Sequence, residues 1–281
     1  MEASPRPTCF AFCIAILWIL LAACTPRQEE EPSSMPENYQ VVSLHSEAFM
    51  TAMPELVGQV VDAAVNWAVH GPERDEPWLM GAVVAHDKKR QTISVDFGNG
   101  GAWAGDVWRS GLLLISYTDV RLVDEATYLV SFINFKIDHV LIEGDFSLTY
   151  RSKGAPTERK YEVRWELGRF TWPDGTYATR QSNHNRTIHL GHLSMHNEYR
   201  WEGVASGVNR HGYEYSSIVT EKLSFRRTCL VVGKIFPSSG KVESTMKGVS
   251  FIVDYGEGDC DSDVRATING EISTMQLSSN F

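Results

Sequence analysis

The feature that most constrains the fold is the alternation of apolar and polar side chains, which recurs through most of the chain. Ile93, Val95 and Phe97 alternate with polar residues, and the run Tyr161–Leu167 alternates apolar with charged side chains. Successive side chains of a β-strand point to opposite faces, so each run predicts a strand with one buried face. Turn sequences such as Asn99-Gly100 separate the runs at hairpin spacing. The sequence therefore predicts a mainly β protein, with more than a dozen antiparallel strands in meander or sandwich-like sheets.

One segment near the N-terminus has a helical period instead. Within Ser46–Val69 the apolar residues recur at spacings of three and four, which predicts an amphipathic helix. Proline is tolerated in the first turn of a helix but not in its interior, so Pro54 places the start of the well-formed part near Met53. Gly71 ends it. We expect one short N-terminal amphipathic helix inside a helical segment of residues 41–76.

The first 23 residues have the pattern of a secretory signal peptide. The apolar run Cys9–Leu21 is shorter than the roughly 20 residues that span a bilayer and suits the central region of a signal peptide. The stretch Leu-Ala-Ala-Cys that ends at Cys24 resembles a bacterial lipobox. In proteins with that box a peptidase removes the residues before the cysteine. The resemblance implies that residues 1–23 are removed and that Cys24 carries the lipid, and an ordinary signal peptide followed by a buried cysteine is the alternative.

Residues 24–40 are expected to form a flexible tether. The stretch Thr25–Asn38 is rich in Pro, Glu and Ser and has no large aliphatic residues, so it cannot bury enough apolar surface to offset the ordering of the chain. Thr25 follows the cysteine, where an aspartate would have resembled the inner-membrane retention signal of enteric bacteria. We therefore expect a protein held on a membrane of the cell envelope by its N-terminal lipid, at the outer membrane rather than the inner one.

Charge and cysteine content restrict the partners and the compartment. The formal net charge of −9 argues against nucleic acid, because phosphates require Lys and Arg partners. Beyond the signal peptide and Cys24, the two remaining cysteines are Cys229 and Cys260. An oxidising compartment favours a disulfide between them, and two separate buried thiols are the alternative.

Two hexapeptides nearly repeat each other: VDFGNG at 95–100 and VDYGEG at 253–258. Their glycines can adopt positive φ, and the aspartate of each can accept a hydrogen bond from the backbone N–H two residues on. Each hexapeptide therefore predicts a turn or bulge that an aspartate closes. Because the flanking sequences also agree, we expect two related β modules: residues 77–209, which include a His-rich connection, and residues 210–281.

An acidic cluster begins at the second hexapeptide and offers a candidate metal site. Calcium takes six to eight oxygen ligands, and carboxylates at alternate positions of a loop can converge on it. A structural turn is the preferred interpretation, a structural calcium is the alternative, and no other cofactor is predicted. The candidate ligands are Asp254, Asp259, Asp261 and Asp263.

Two tryptophans offer a candidate ligand surface. Trp103 and Trp108 lie in the stretch that follows the first hexapeptide, where exposed indoles can stack on sugar rings. Core packing is the preferred interpretation of the tryptophans of the chain, and glycan binding by these two, which are the better candidates for exposure, is the alternative. If they are exposed, the sequence favours a glycan as the partner.

The chain lacks the common local motifs of catalysis: it contains no Gly-x-Ser-x-Gly elbow, no His-Glu-x-x-His and no P-loop. This favours a protein that is not an enzyme, although dispersed carboxylates can catalyse without leaving a local pattern.

The lipobox, acidic tether, short helix and repeated turns resemble a group of uncharacterised cell-envelope lipoproteins of Bacteroidota. That resemblance implies no established activity. We therefore predict a non-enzymatic structural or binding role toward a glycan or an envelope protein, and a glycan-binding or glycan-processing surface lipoprotein is the alternative.

Overall fold

The structure is a computed structural model, and it describes residues 37–71, 76–103, 107–152 and 157–278. The predicted signal peptide, Cys24 and the first part of the tether lie outside the described residues. Within the described ranges, no helix is both long and apolar enough to cross a membrane.

The described chain consists of one long helix followed by a series of strands. Helix α1 spans Glu37–His70, helix α2 is the single turn Arg227–Leu230, and short 3₁₀ turns lie at Pro77–Leu79 and Ser194–His196. The strands are β1 (Val83–Asp87), β2 (Thr92–Asp96), β3 (Gly101–Trp103), β4 (Val107–Tyr117), β5 (Thr127–Ile137), β6 (Val140–Tyr150), β7 (Glu158–Thr171), β8 (Tyr177–His189), β9 (Glu198–Val208), β10 (Glu214–Arg226), β11 (Ser239–Met246), β12 (Val249–Glu257), β13 (Asp263–Ile268) and β14 (Glu271–Gln276).

All of these strands belong to one antiparallel sheet. Apart from β3, which pairs with β4 alone, the strands follow one another in chain order from β1 to β14. This confirms the predicted antiparallel β meander. The two predicted modules are not confirmed, because the sheet continues without a break from β9 to β10, across the expected boundary at residue 210. The predicted His-rich connection also differs, since strand β8 extends to His189.

Helix α1 is longer than predicted and is buried on nearly every side from Ser43 to Val65. It has 34 residues, so residues 37–40 are helical rather than part of the tether, and Pro54 lies in its interior. The sheet curves around it, and α1 contacts both β2 and β12 near opposite edges of the sheet. A helix enclosed in this way has no solvent face, so it is not the amphipathic helix that the spacing predicted. Its C-terminus is as expected: Gly71 has φ +84° and donates to the carbonyl of Trp67 at 2.7 Å.

The two hexapeptides form the predicted aspartate-closed structures. The Asp96 Oδ1 accepts the N–H of Gly98 at 2.8 Å, and the Asp254 Oδ1 accepts the N–H of Gly256 at 3.0 Å. Both glycines have positive φ, +57° and +85°. The first copy ends β2, whereas the second lies inside β12 at a register shift against β11, where it forms a β-bulge.

Strand β7 confirms the predicted alternation over most of its length. Tyr161, Val163 and Trp165 are buried in the core as expected. Leu167 is the exception: it is 82% exposed and has φ +51°. The register with β8 shifts between Trp165 and Gly168, so this bulge turns Leu167 outward and Gly168 takes the inward position.

The predicted disulfide joins Cys229 and Cys260, whose Cα atoms are 5.0 Å apart. It links helix α2 to the segment between β12 and β13, across a sequence separation of 31 residues. The covalent bond therefore ties the C-terminal hairpins of the sheet to the segment that follows β10.

Candidate functional site

A buried arginine fixes helix α1 inside the sheet. Arg186, on β8, donates through Nε and Nη2 to the two carboxylate oxygens of Glu55 at 2.9 and 2.7 Å, and through Nη1 to Asp62 at 2.7 Å. The Trp201 indole N–H on β9 also donates to Glu55, at 2.6 Å. A Cβ on Gly58 would lie 3.2 Å from the Arg186 Cζ, so glycine at this position of the helix leaves room for the guanidinium.

The electrostatics of this network favour a charged pair. Burial raises the pKa of Glu55, while the charge and hydrogen bonds of Arg186 lower it. Burial also lowers the pKa of Arg186, but the carboxylates of Asp62 and Glu55 outweigh it and hold that pKa well above its usual value. Burial is the larger effect at Glu55, so its pKa is raised overall, and Arg186 limits that rise. Glu55 and Arg186 are both fully buried, so removal of either leaves the other without its partner in the core.

A second ion pair fixes the other half of the helix. Arg180 lies six residues before Arg186 on the same inward face of β8, and its Nη1 donates to the Glu47 Oε1 at 2.9 Å. Between the two arginines lies the imidazole of His184, which is also buried. Desolvation, and then the charge of Arg180, lower the pKa of His184 to about 3. Neutral His184 is therefore part of the folded core at neutral pH.

Two cavities adjoin each other beside the C-terminal half of α1, and together we call them the end site. The polar cavity has a volume of about 600 Å³ and the apolar cavity about 260 Å³. Asp62, Asn66 and Arg159 line both. The other polar groups of the polar cavity include Gln59, Glu76, Asn197, Tyr199 and Arg227. The other residues of the apolar cavity include Val61, Val65, Val69, Val120, Leu122, Leu148, Tyr128 and Tyr161.

Several hydrogen-bond donors of the end site have no acceptor. Arg159 on β7 is half-buried, and its side chain forms no hydrogen bond or ion pair with the residues that the structure describes. The Tyr128 side chain is only 2% exposed, and its hydroxyl likewise has no partner within the described ranges. The same holds for the Nε of Arg227. An acceptor in the end site can reach the half-buried Arg159 guanidinium directly, whereas the Tyr128 hydroxyl and the Arg227 Nε are buried behind the cavity walls and meet it only after a small side-chain shift.

The carboxylates of the end site, by contrast, are already engaged. Asp62 accepts from Arg186, as described above. Glu76 accepts the side-chain amide of Asn66 at 2.6 Å and lies 3.6 Å from the Arg227 guanidinium. The unused hydrogen-bonding capacity of the charged groups is therefore on the cationic side.

The tyrosines of the apolar cavity remain protonated donors. Burial, followed by the charge of Asp62, raises the pKa of Tyr128 and that of Tyr161 above the usual value for a phenol. At neutral pH both hydroxyls therefore carry their protons. Each hydroxyl can therefore donate one hydrogen bond to an acceptor of a ligand, which a phenolate could not do.

The tryptophans predicted for glycan binding lie in the hairpin of β3 and β4. The Trp108 indole is half-buried and stacks on the imidazole of His139 with ring centroids 4.4 Å apart. The Trp103 backbone pairs with Val107, and its side chain lies outside the described part of the structure. Glycan binding by these residues stays a prediction.

The acidic residues proposed for calcium are spread over separate contacts. The Asp254 Oδ2 accepts from Arg265 at 3.3 Å and lies 3.8 Å from the Lys241 Nζ. The Asp261 Oδ1 accepts the backbone N–H of Asp263 at 3.3 Å, and Asp259 is exposed. The described residues contain no group of three or more His, Cys, Asp or Glu placed to hold a metal. A structural calcium at these residues also stays a prediction.

Sequence reasoning missed the end site, although one pattern pointed to it. Arg159 has the same parity as Tyr161, Val163 and Trp165, so the alternation of β7 already placed an arginine on the buried face. A charge on the buried face of a strand requires a partner. That partner is neither on β7 nor elsewhere in the described chain, and this is what marks Arg159 as a candidate ligand contact.

Comparison of the chain with protein-family models, with curated proteins and with solved structures gives no match. The end site is therefore assigned from its own geometry. The resemblance to envelope lipoproteins of Bacteroidota stays a prediction.

Proposed function

We propose that this chain is a lipid-anchored protein of the cell envelope that binds a small ligand in the end site and does not transform it. The lipobox pattern at Cys24 supports the anchor. The observation that carries the binding role is that two adjoining cavities are lined by the half-buried Arg159 and the buried Tyr128, whose side-chain donors have no acceptor among the described residues.

A purely structural role does not account for the buried hydroxyl of Tyr128, which has no acceptor among the described residues. A buried polar group that lacks a partner costs about 1–3 kcal/mol of folding free energy. Elsewhere on the inner face of the sheet, Arg180 and Arg186 have carboxylate partners from α1. The contrast with Arg159 is explained if its acceptor arrives from outside the chain.

The size and composition of the end site also suit a small ligand. Ligand sites typically have volumes of about 300–1,000 Å³ and combine apolar walls with a few oriented polar groups. The polar cavity alone falls in that range, at about 600 Å³. Its carboxylates, Asp62 and Glu76, are held by arginines, which supports a binding role over general-base chemistry.

The binding role is tested by a thermal-shift screen of the full mature chain in detergent against anionic, neutral and cationic small molecules. A ligand at 100 times its Kd stabilises the folded state by about 2.7 kcal/mol, which raises Tm by roughly 5–11 °C for a domain of this size. We expect Val65→Phe, which fills the apolar cavity, to remove the shift. The exposed Arg90→Gln, a matched surface change, should keep it. If no compound in the screen raises the Tm of the wild type more than it raises that of Val65→Phe, the binding role is contradicted.

The anchor is tested separately. Mass spectrometry of the protein purified from a bacterial envelope should find acyl chains on Cys24 as the first residue, and Cys24→Ser should leave the protein in the soluble fraction. Membrane partition unchanged by Cys24→Ser would contradict the lipid anchor without bearing on the end site.

A further inference from the structure

We infer that the ligand of the end site is a monocarboxylate with one compact apolar group, whose carboxylate lies against Arg159 and Tyr128 and whose apolar group fills the apolar cavity. This inference rests on the binding role proposed above and specifies its ligand class.

The charge of the ligand follows from Arg159. A guanidinium presents its donors in a planar fork that matches a carboxylate in a bidentate pair. Arg159 has this fork unoccupied by any described residue and lines both cavities. The other arginines of the two cavities, Arg121 and Arg227, already pair with Asp119 and Glu76, so Arg159 supplies one positive charge without a described carboxylate partner. A single negative charge therefore suits the site.

The tyrosines set the position of the carboxylate. Tyr128 and Tyr161 line the apolar cavity together with Arg159, and both phenols stay protonated. A carboxylate at the junction of the cavities can accept from the guanidinium directly, and from the buried Tyr128 hydroxyl, which has no partner among the described residues, after a small shift of that side chain. An ammonium or amide N–H at that position would leave both donors without an acceptor.

The apolar cavity limits the size of the rest of the ligand. It holds about 260 Å³, and a cavity of roughly 150 Å³ is enough for a benzene ring. Its walls include Val61, Val65, Val69, Val120, Leu122 and Leu148. One aromatic ring or a short branched chain therefore fits, whereas a long acyl chain does not. The neighbouring polar cavity leaves space for water or for polar substituents on the acid.

The experiment is a calorimetric titration of the full mature chain with 3-phenylpropanoate, its amide, 3-phenylpropylamine and hexadecanoate. We expect the phenyl acid to bind at least about tenfold more tightly than the amide or the amine, since a hydrogen bond to a charged group contributes about 1.5–3 kcal/mol and each 1.4 kcal/mol is tenfold. Arg159→Gln should weaken binding of the phenyl acid by at least about tenfold and should change binding of the amide little. Arg90→Gln, a matched control on the exposed surface, should change neither.

Tyr128→Phe separates a ligand contact from a structural role. Because its hydroxyl has no partner in the described chain, its removal should leave Tm of the ligand-free protein unchanged or higher and should weaken binding of the phenyl acid severalfold. A lower Tm with unchanged acid affinity would remove Tyr128 from the site.

The possible failures are distinguishable. Equal affinity of the phenyl acid for wild type and Arg159→Gln, or no measurable binding of either acid, overturns the inference. Tighter binding of the amide or amine that Val65→Phe abolishes overturns it too, but leaves the binding role intact. Tighter binding of hexadecanoate than of the phenyl acid overturns the size limit. If the broad screen also finds no cavity-dependent ligand, the binding role itself fails.

Discussion

The substitution Arg186→Met on β8 is the sharpest test of how helix α1 is held inside the sheet. The change removes both hydrogen bonds from Arg186 to Glu55 and the one to Asp62. Glu55, which is fully buried, is then left without a cation, and it must either carry an unpaired charge or take up a proton. We therefore expect a large loss of stability, although methionine restores much of the volume.

The magnitude follows from the groups left behind. Removal of one partner of a buried ion pair costs about 3–5 kcal/mol. Gln59 and Trp201 still donate to Glu55, and Asp62 is partly exposed and can take up water. We therefore expect the lower end, about 3 kcal/mol, which corresponds to a fall in Tm of roughly 6–12 °C.

The pH dependence of the loss identifies its cause. Arg186 lowers the pKa of Glu55, so without it burial raises that pKa further. A carboxyl with a raised pKa in the folded state binds its proton more tightly when folded. The deficit of Arg186→Met should therefore shrink as the pH falls through the raised pKa of Glu55. The double variant with Glu55→Gln should also be more stable than Arg186→Met alone, because the amide carries no charge.

Equilibrium unfolding in urea at several pH values measures these differences. The control is Arg164→Met on the outer face of β7, where the arginine pairs with Glu162 at the surface and the expected change is about 1 kcal/mol or less. A deficit for Arg186→Met no larger than that of Arg164→Met, or one that grows as the pH falls, would refute the reasoning.

Three further predictions concern the core and the covalent link. His184 has a pKa of about 3 in the folded protein against about 6.5 in the unfolded chain. Between pH 7 and pH 5 the free energy of unfolding in urea should therefore fall by about 2 kcal/mol more for the wild type than for His184→Gln. Equal falls for the two proteins would contradict this. Reduction of the Cys229–Cys260 disulfide, which closes a loop of 31 residues, should lower the free energy of unfolding by about 3–4 kcal/mol, and the double serine variant should not respond to reductant. Trp165 is buried among three phenylalanine rings, so Trp165→Ala should lower the free energy of unfolding by about 3–5 kcal/mol. A denaturation midpoint close to that of the wild type would exclude this packing.

The features that the sequence predicted correctly depend on neighbouring residues. The alternation of Tyr161, Val163 and Trp165 reflects the pleat of a single strand. The turn at Asp96 needs only its own carboxylate and the N–H of Gly98. The same local chemistry recurs at Asp254, although there it produces a bulge within a strand. Such elements depend on a few neighbouring residues, so they can be predicted from the sequence without knowledge of the rest of the fold.

The length of α1 shows where a local rule is overridden. A proline in the interior of a helix costs about 3 kcal/mol, which is why Pro54 was expected near the first turn. The turns before it bury Leu44, Phe49 and Met50, and full burial of each such side chain contributes about 1.5–3 kcal/mol. The burial of these three outweighs the proline, but it depends on a sheet formed by residues far along the chain.

The charge pairs of the core can be predicted from the sequence only in part. Helix α1 carries Glu37, Glu47, Glu55 and Asp62 and contains no Lys or Arg, so basic residues from elsewhere must face it once it is buried. The sequence does not reveal which ones, because β8 has polar residues on both faces. Only the register of the sheet around the helix selects Arg180 and Arg186 as the partners and leaves Arg159 apart.

Asp62 connects the holding of the helix to the proposed binding site. Its carboxylate lies 2.7 Å from the Arg186 guanidinium and also lines both cavities of the end site. Among the described residues Asp62 forms its ion pair with Arg186 and none with Arg159 on the neighbouring strand β7. The carboxylate that pairs with Arg186 in the core therefore also faces the cavities in which we propose that Arg159 meets a ligand. In this fold the ion pairs of the core and the proposed ligand site share one residue, Asp62.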